Sequence, residues 1–168
     1  MSENSADPEE VELLLYLGTM VRDAAHMEVT VEALTGHLVA SHDRQAPAVN
    51  GLPLSALLRK CREASGQVAR VDAAQRDSLE KLLDRVEAVA QLRNAYVHGG
   101  WARDLDGSLT AVRGKRGQTD LISHAVSGDQ LREMIGEIRA IYNGLMEWLS
   151  RDLDIIYGPN ASQSAEAE

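Results

Sequence analysis

Apolar residues along most of this chain recur at helical spacing, which predicts an all-α protein. The first run opens after Asp7 and Pro8, residue types favoured at a helix N-cap and at the first helical position. No proline interrupts the run, so it predicts either one helix over 8–41 or two helices joined near 26–30. The periodic apolar positions are Val11, Leu14, Leu15, Val21, Ala25, Val31, Leu34, Leu38 and Val39.

Two more helices are predicted after a loop over 42–52, which contains a proline and an Asn-Gly pair. The second helix is expected over about 53–65 and the third over about 72–98. The third should end where Gly99 and Gly100 follow, since glycine commonly stands just past a helix end. Their apolar stripes are Leu54, Leu57, Leu58 and Cys61 in the second helix, and Leu79, Leu82, Leu83, Val86, Val89 and Ala90 in the third.

The pattern changes over 101–126, where two short runs alternate apolar and polar residues. These runs, 108–113 and 119–126, flank a basic Gly-Lys-Arg-Gly turn at 114–117. Alternation on both sides of a glycine-containing turn is typical of a β-hairpin. The sequence therefore predicts a hairpin with a basic tip.

A last helix is predicted from a capping box of Ser127 and Gln130 to about residue 152. The predicted fold is a bundle of four to five helices with the hairpin, about 101–126, inserted before the last helix. We expect a single helical domain over 8–157, a flexible N-terminus at 1–7 and a disordered tail at 158–168. The apolar face of the last helix comprises Leu131, Ile135, Ile138, Ile141, Leu145, Trp148 and Leu149.

Composition supports helix packing and argues against a broad nucleic-acid surface. Phenylalanine is absent and aromatic residues make up 4% of the chain, so the core must be aliphatic. The net charge of −9 has the wrong sign for a protein that neutralises many phosphates. Residues 91–124 nevertheless hold five cations and three acids, which leaves room for a local basic site.

Several other classes of protein are disfavoured by the residues present. Cys61 is the only cysteine, which excludes an intramolecular disulfide and a cysteine-based zinc site. His26, His37 and His42 show no zinc-ligand spacing, so neither a metal nor a cofactor is expected. The first residues are acidic, unlike a signal peptide, and the longest apolar run is too short to span a membrane. We therefore expect a cytoplasmic protein without membrane contact.

The candidate chemistry lies in the segment Arg93-Asn94-Ala95-Tyr96-Val97-His98-Gly99 at the end of the third helix. Histidine accepts and donates protons near neutrality, and arginine presents a planar fork matched to phosphate oxygens. Asn94 and His98 are four apart and share a helix face. Arg93 and His98 are about 140° apart around the helix. Arg93 must therefore reach round, the last turn must unwind at Gly99, or a second subunit must contribute.

This Arg-x4-His spacing, with a polar residue directly after the arginine, resembles the signature of the HEPN superfamily. The helix content resembles that family over about 8–155, and the motif itself covers 93–98. The resemblance implies metal-independent RNA cleavage at the two-fold interface of a homodimer, leaving a 2′,3′-cyclic phosphate or its hydrolysis product. It also implies that His98 is the general base or acid, that Arg93 holds the phosphate, and that Asn94 orients the phosphate or the histidine. A toxin or phage-defence effector, encoded beside an antitoxin, is the expected setting.

Other side chains near the motif are candidates for binding RNA, each with a structural alternative. Arg113, Lys115 and Arg116 either steer RNA toward the motif or form a solvated turn. Trp101 either stacks on a base or packs under the hairpin. The hydroxyl of Tyr96 either reaches the phosphate or belongs to the core or a dimer contact.

A second function remains open on the same residues. In it the chain is a non-catalytic helical module that binds a protein partner or a nucleotide. Arg93 and Asn94 then cap the helix end and His98 is a surface residue. The acidic net charge and the small number of catalytic groups favour this alternative.

Overall fold

The computed structural model of the protein describes residues 8–43, 45, 47–105, 107–114 and 121–152. Within these ranges the chain forms four helices and one three-stranded antiparallel sheet, which confirms a mainly helical fold. The elements in chain order are α1 (Pro8–His42), α2 (Leu54–Gln67), α3 (Ala73–His98), β1 (Gly100–Arg103), β2 (Leu109–Gly114), β3 (Leu121–Val126) and α4 (Gly128–Asp152).

Three predictions fall on residues outside these ranges. They are the flexible N-terminus at 1–7, the disordered tail at 158–168, and the basic tip that carries Lys115 and Arg116. No helix in the described ranges is both long enough and apolar enough to cross a membrane.

Helix α1 is continuous, so the one-helix alternative is correct. Its buried side carries Leu13, Met20, Ala24 and Met27, none of them more than 6% exposed. The periodic apolar residues of its first half lie on the other side. We call the following set the α1 apolar stripe, and all its members are exposed: Val11, Leu14, Leu15, Gly18, Val21 and Ala25.

The chain forms two compact units, of which the first comprises Met1–Glu28 and Asp84–Ile141. It contains the first part of α1, the second part of α3, the sheet and most of α4. Its aliphatic core was largely predicted from α3 and α4. Among its buried residues are Met20, Met27, Val86, Val89, Leu131, Ile135, Ile138 and Ile141.

The second unit comprises Val29–Leu83 and Tyr142–Glu168. At the start of α3, Asp72 and Gln75 exchange hydrogen bonds of 2.8 and 2.6 Å between side chain and backbone N–H, which is a complete capping box. The buried indole of Trp148 donates to the carbonyl of Gln75 at 3.1 Å. The core of this unit includes Leu34, Leu38, Leu57, Leu58, Cys61, Leu79, Leu83, Leu145 and Leu149.

The predicted hairpin is two strands of a three-stranded sheet with the order β1-β2-β3. The additional strand β1 places Trp101 opposite Ala111, which in turn lies opposite His124 on β3. The indole N–H of Trp101 donates to the carbonyl of Tyr96 at 2.8 Å and fastens β1 to the end of α3. Strand β1 was not predicted, because four residues that begin with glycine are too few to show alternation.

Helix α3 keeps regular geometry to its end. The backbone N–H of Gly99 donates to the carbonyl of Ala95 at 2.9 Å, the spacing of an ordinary α-helical turn. The alternative in which the last turn of α3 unwinds at Gly99 is therefore wrong. A Cβ atom on Gly99 would lie 2.3 Å from the oxygen of Ala95 and 3.1 Å from that of Val112 on β2, so this position requires glycine.

Gly99→Ala is expected to destabilise the protein by about 1–3 kcal/mol, because the added methyl group overlaps two backbone oxygens that cannot move independently. Gly100→Ala is the matched control, since its Cβ would meet nothing closer than 4.0 Å. Urea denaturation of both variants measures the difference. Equal midpoints would show that the end of α3 adjusts freely.

Candidate functional site

The three candidate catalytic residues, Arg93, Asn94 and His98, lie in the last two turns of α3, in the first unit. His98 is exposed and Asn94 is half-buried, and their spacing of four residues puts them on one face of the helix. Neither side chain has a hydrogen-bond partner among the described residues. Both are therefore free to contact a ligand.

Arg93 forms an ion pair with a carboxylate that was not predicted from the sequence. Its guanidinium forms an ion pair with Glu28 of α1, and the two side chains are only 21% and 31% exposed. The partners are 65 residues apart, so no local spacing could reveal the pair. Arg93 therefore does not reach round to His98's face in this structure; a phosphate would have to replace Glu28 as its partner.

Tyr96 faces the interior, which agrees with the core alternative for this residue. It is 4% exposed, and its hydroxyl donates to the carbonyl of Ala125 on β3 at 3.2 Å. Burial raises the pKa of Tyr96, and the charge of Glu133 raises it further. Tyr96 lies about 200° around the helix from both Asn94 and His98, so its hydroxyl is directed away from them.

Of the other substrate-binding candidates, Trp101 and Arg113 are described, and neither forms a hydrogen bond or ion pair with His98. Trp101 is half-buried and its N–H is committed to a carbonyl, as the packing alternative requires. Arg113 is exposed on β2, where it lies opposite Ile122. Lys115 and Arg116 lie outside the described residues.

A buried carboxylate joins α1 to α4 within the first unit. Asp23 is 8% exposed and accepts hydrogen bonds from Arg22 at 2.8 and 2.9 Å and from Arg139 at 2.7 Å. Burial acts to raise the pKa of Asp23, but the hydrogen bonds from Arg22 and Arg139 outweigh it and the pKa is lowered. Asp23 and Arg139 are 116 residues apart, beyond the reach of any sequence pattern.

Asp23→Asn is expected to destabilise the protein by about 1–2 kcal/mol at pH 7, since it removes the charge that both arginines pair with. Because folding lowers the pKa of Asp23, its stabilising contribution is complete above the ordinary pKa of 3.8 and is lost as pH falls through the lowered value. The difference in the free energy of unfolding between Asp23→Asn and wild type should therefore shrink below about pH 4.

Urea denaturation at pH 7 and near pH 3 measures this effect. Asp77→Asn is the control, because Asp77 forms an exposed pair with Lys81 at 2.7 Å, a kind that contributes little. A difference that stays constant with pH would show that the carboxylate charge of Asp23 does not matter.

Neither thiol nor metal chemistry is supported by the described groups. Cys61 is fully buried, and burial raises its pKa to about 12, so it is not a thiolate near neutrality. Across the described residues, no group of three histidine, cysteine, aspartate or glutamate side chains is placed to hold a metal ion.

Comparison with protein-family models, with curated proteins and with solved structures gives no match for this chain. The fold and the site define a mainly helical protein with an exposed histidine and an amide at the end of α3, beside a neutralised arginine.

Proposed function

We propose that the protein is a metal-independent endoribonuclease of HEPN type that acts as a homodimer. The observation that carries the proposal is the exposed His98 with Asn94 on the same helix face, next to Arg93. These groups supply a proton acceptor, a hydrogen-bonding amide and a phosphate-binding cation without a metal.

In the proposed reaction His98 accepts the proton of a ribose 2′-hydroxyl as its oxygen attacks the adjacent phosphorus. The bond from phosphorus to the 5′-oxygen breaks, and that oxygen takes up a proton as it leaves. The products are a 2′,3′-cyclic phosphate and a 5′-hydroxyl. One histidine cannot serve as base and acid in the same step, so the second His98 of a dimer provides the proton. Asn94 orients the phosphate or the histidine.

In this proposal Glu28 is the partner of Arg93 while no RNA is bound. Before RNA binds, Glu28 neutralises the guanidinium. A phosphate oxygen then takes the place of the carboxylate, as a competing acceptor for the same N–H groups. Arg93 therefore has an anionic partner both before and after RNA binds, first Glu28 and then the phosphate.

The α1 apolar stripe supports a dimer. Val11, Leu14, Leu15 and Val21 are 43%, 55%, 65% and 41% exposed, although large aliphatic side chains at helical spacing usually face a core. The space above Gly18, in the middle of the stripe, is open, so a second helix can approach closely there. A second copy of the chain is the occupant that the two-histidine chemistry requires.

A second candidate function is favoured by the ion pair of Arg93 with Glu28. An arginine already paired with a carboxylate is what a non-catalytic helical module would have. In that function the α1 apolar stripe binds a protein partner, such as an antitoxin, or the module binds a nucleotide. For either function we propose a cytoplasmic setting, and for the ribonuclease the role of a toxin or phage-defence effector.

Incubation of the purified protein with mixed cellular RNA in EDTA separates the two functions. The ribonuclease proposal expects fragments that end in a 2′,3′-cyclic phosphate. Intact RNA, together with a co-purifying protein that is lost when Leu15 is changed to glutamate, would overturn it and support the binding module.

A further inference from the structure

Two arginines meet on one buried carboxylate in the first unit. Oδ1 of Asp23 accepts hydrogen bonds from Nε and Nη2 of Arg22, and Oδ2 accepts one from Nε of Arg139 at 2.7 Å. We call these three residues the arginine cluster. Asp23 is 8% exposed, whereas the side chains of Arg22 and Arg139 are 61% and 57% exposed. The enclosed carboxylate thus holds two guanidinium groups together at the surface.

The arginine cluster carries more positive charge than Asp23 needs for its neutralisation. One arginine is enough for that, so the second leaves two cations against one anion. Neither arginine forms an ion pair with another carboxylate among the described residues. The positions three and four residues away on each helix hold no acid: Gly18, Thr19, Ala25 and His26 for Arg22, and Ile135, Gly136, Tyr142 and Asn143 for Arg139. In a chain with a net charge of −9, this local excess favours an anionic ligand.

The outer N–H groups of both arginines are available to a ligand. Nη1 of Arg22 and both Nη atoms of Arg139 form no hydrogen bond with the described residues. The space about one turn before each arginine is open, because a Cβ atom on Gly18 or Gly136 would meet nothing within 4 Å. A guanidinium presents a planar fork of N–H donors that matches phosphate oxygens. Two such groups fixed on one carboxylate are therefore suited to a phosphate group.

The arginine cluster is separate from Arg93. Glu28, the partner of Arg93, follows Asp23 by five residues on α1, which is about 140° around the helix. The two carboxylates therefore hold their arginines on different sides of α1. Arg22 comes directly after Val21 of the α1 apolar stripe, so the cluster lies at the edge of the surface proposed for the dimer. One phosphate of an RNA strand can then bind Arg93 while another binds the cluster.

We propose that Arg22 and Arg139 bind a phosphate group of the RNA backbone away from the bond that is cleaved. Their outer Nη atoms donate to the phosphate oxygens, while Asp23 keeps both guanidinium groups in position. The contact holds the strand and takes no part in the chemical step. It rests on the proposed function for the source of the phosphate, since a free nucleotide carries the same group.

Fluorescence anisotropy of a labelled single-stranded RNA, in EDTA and about 50 mM KCl, tests this proposal. The full chain carries His98→Ala, so that the RNA stays intact. Arg22→Gln and Arg139→Gln in this parent should each raise the Kd about tenfold, because charge-assisted hydrogen bonds are lost. Each variant leaves Asp23 one arginine, so the fold should be kept, which circular dichroism checks.

Arg59→Gln is the matched control, because Arg59 is 66% exposed and pairs with Glu63 in the second unit. It removes the same charge and should change the Kd less than about twofold. The salt dependence is an independent readout. The slope of log K against log[KCl] should become shallower by up to about 0.7 in Arg22→Gln and Arg139→Gln, and should not change in Arg59→Gln.

Arg139→Lys is a second variant that keeps a positive charge beside Asp23 and so protects the fold. Arg139 contacts Asp23 through Nε and leaves two outer nitrogens for a phosphate, whereas lysine has a single nitrogen. Arg139→Lys should therefore weaken RNA binding about threefold or more relative to the His98→Ala parent. The affinity of the parent in this variant would overturn the proposed contact of Arg139 with both anions.

Equal weakening of RNA binding by Arg22→Gln, Arg139→Gln and Arg59→Gln would overturn the proposal, since general attraction between charges would then explain the binding. No detectable RNA binding at about 100 µM protein would also overturn it. Isothermal titration with ATP distinguishes the source of the phosphate. ATP binding that requires both arginines, beside RNA binding that requires neither, would exclude the RNA backbone.

Cleavage is measured separately, so the two proposals can fail independently. A protein with His98 that binds RNA through Arg22 and Arg139 but never cleaves it would contradict the ribonuclease and leave the phosphate site standing. A protein that cleaves RNA, but whose Arg22→Gln and Arg139→Gln variants bind RNA as Arg59→Gln does, would contradict the phosphate site alone.

Discussion

His98→Ala is expected to lower the rate of RNA cleavage by about 10²–10⁴-fold, because in the dimer it removes both the general base and the general acid. His98 is exposed at the end of α3 and has no hydrogen-bond partner among the described residues, so its loss should leave the fold unchanged. Cleavage of a labelled RNA in EDTA measures the rate, and circular dichroism checks the fold.

His42→Ala is the matched control for His98→Ala. His42 is also exposed and also stands at the last position of a helix, but on α1. The His42→Ala protein should cleave RNA at the wild-type rate. If His98→Ala cleaved as fast as His42→Ala, the proposed catalytic role of the motif would be wrong.

Leu15→Glu is expected to convert the dimer to a monomer and to lower cleavage by about 10²-fold or more. Leu15 is the most exposed large side chain of the α1 apolar stripe, at 65%. In a dimer interface the introduced carboxylate would be buried without a partner, which disfavours association strongly. Light scattering after gel filtration measures the mass, and the RNA assay measures the consequence.

Ala88→Glu controls for the added negative charge, because Ala88 is exposed and belongs to α3, whereas the stripe belongs to α1. It should remain dimeric and active. A Leu15→Glu protein that stays dimeric would show that the stripe is not the interface. One that is monomeric and fully active would show that a single chain holds the whole site.

The bounds of α2 and α3 were predicted closely because the features that mark them lie in or beside the helices along the chain. The third helix was expected over about 72–98 and spans Ala73–His98, because Gly99 and Gly100 mark its end in the chain itself. Helix α2, expected over about 53–65, spans Leu54–Gln67. Its start is marked by Pro53 and its course by its own apolar stripe, so both signals lie within the segment itself.

What the sequence missed depends on contacts between distant residues. Periodicity showed that α1 is a helix but could not tell which of its two apolar sides is buried. The pairs of Arg93 with Glu28 and of Asp23 with Arg139 join different helices and leave no trace in local spacing. Gln130 was expected to complete a capping box, yet its buried side-chain oxygen has no partner among the described residues.

In the proposed function the residues at the end of α3 cleave RNA through its 2′-hydroxyl. The most direct test compares one RNA with the same RNA carrying a single 2′-deoxy nucleotide at the cleaved position, both incubated with wild-type protein in EDTA. The all-ribose RNA should yield a 2′,3′-cyclic phosphate and a 5′-hydroxyl, and the deoxy-substituted bond should stay intact. Cleavage of both RNAs at that bond, or of neither, would contradict it.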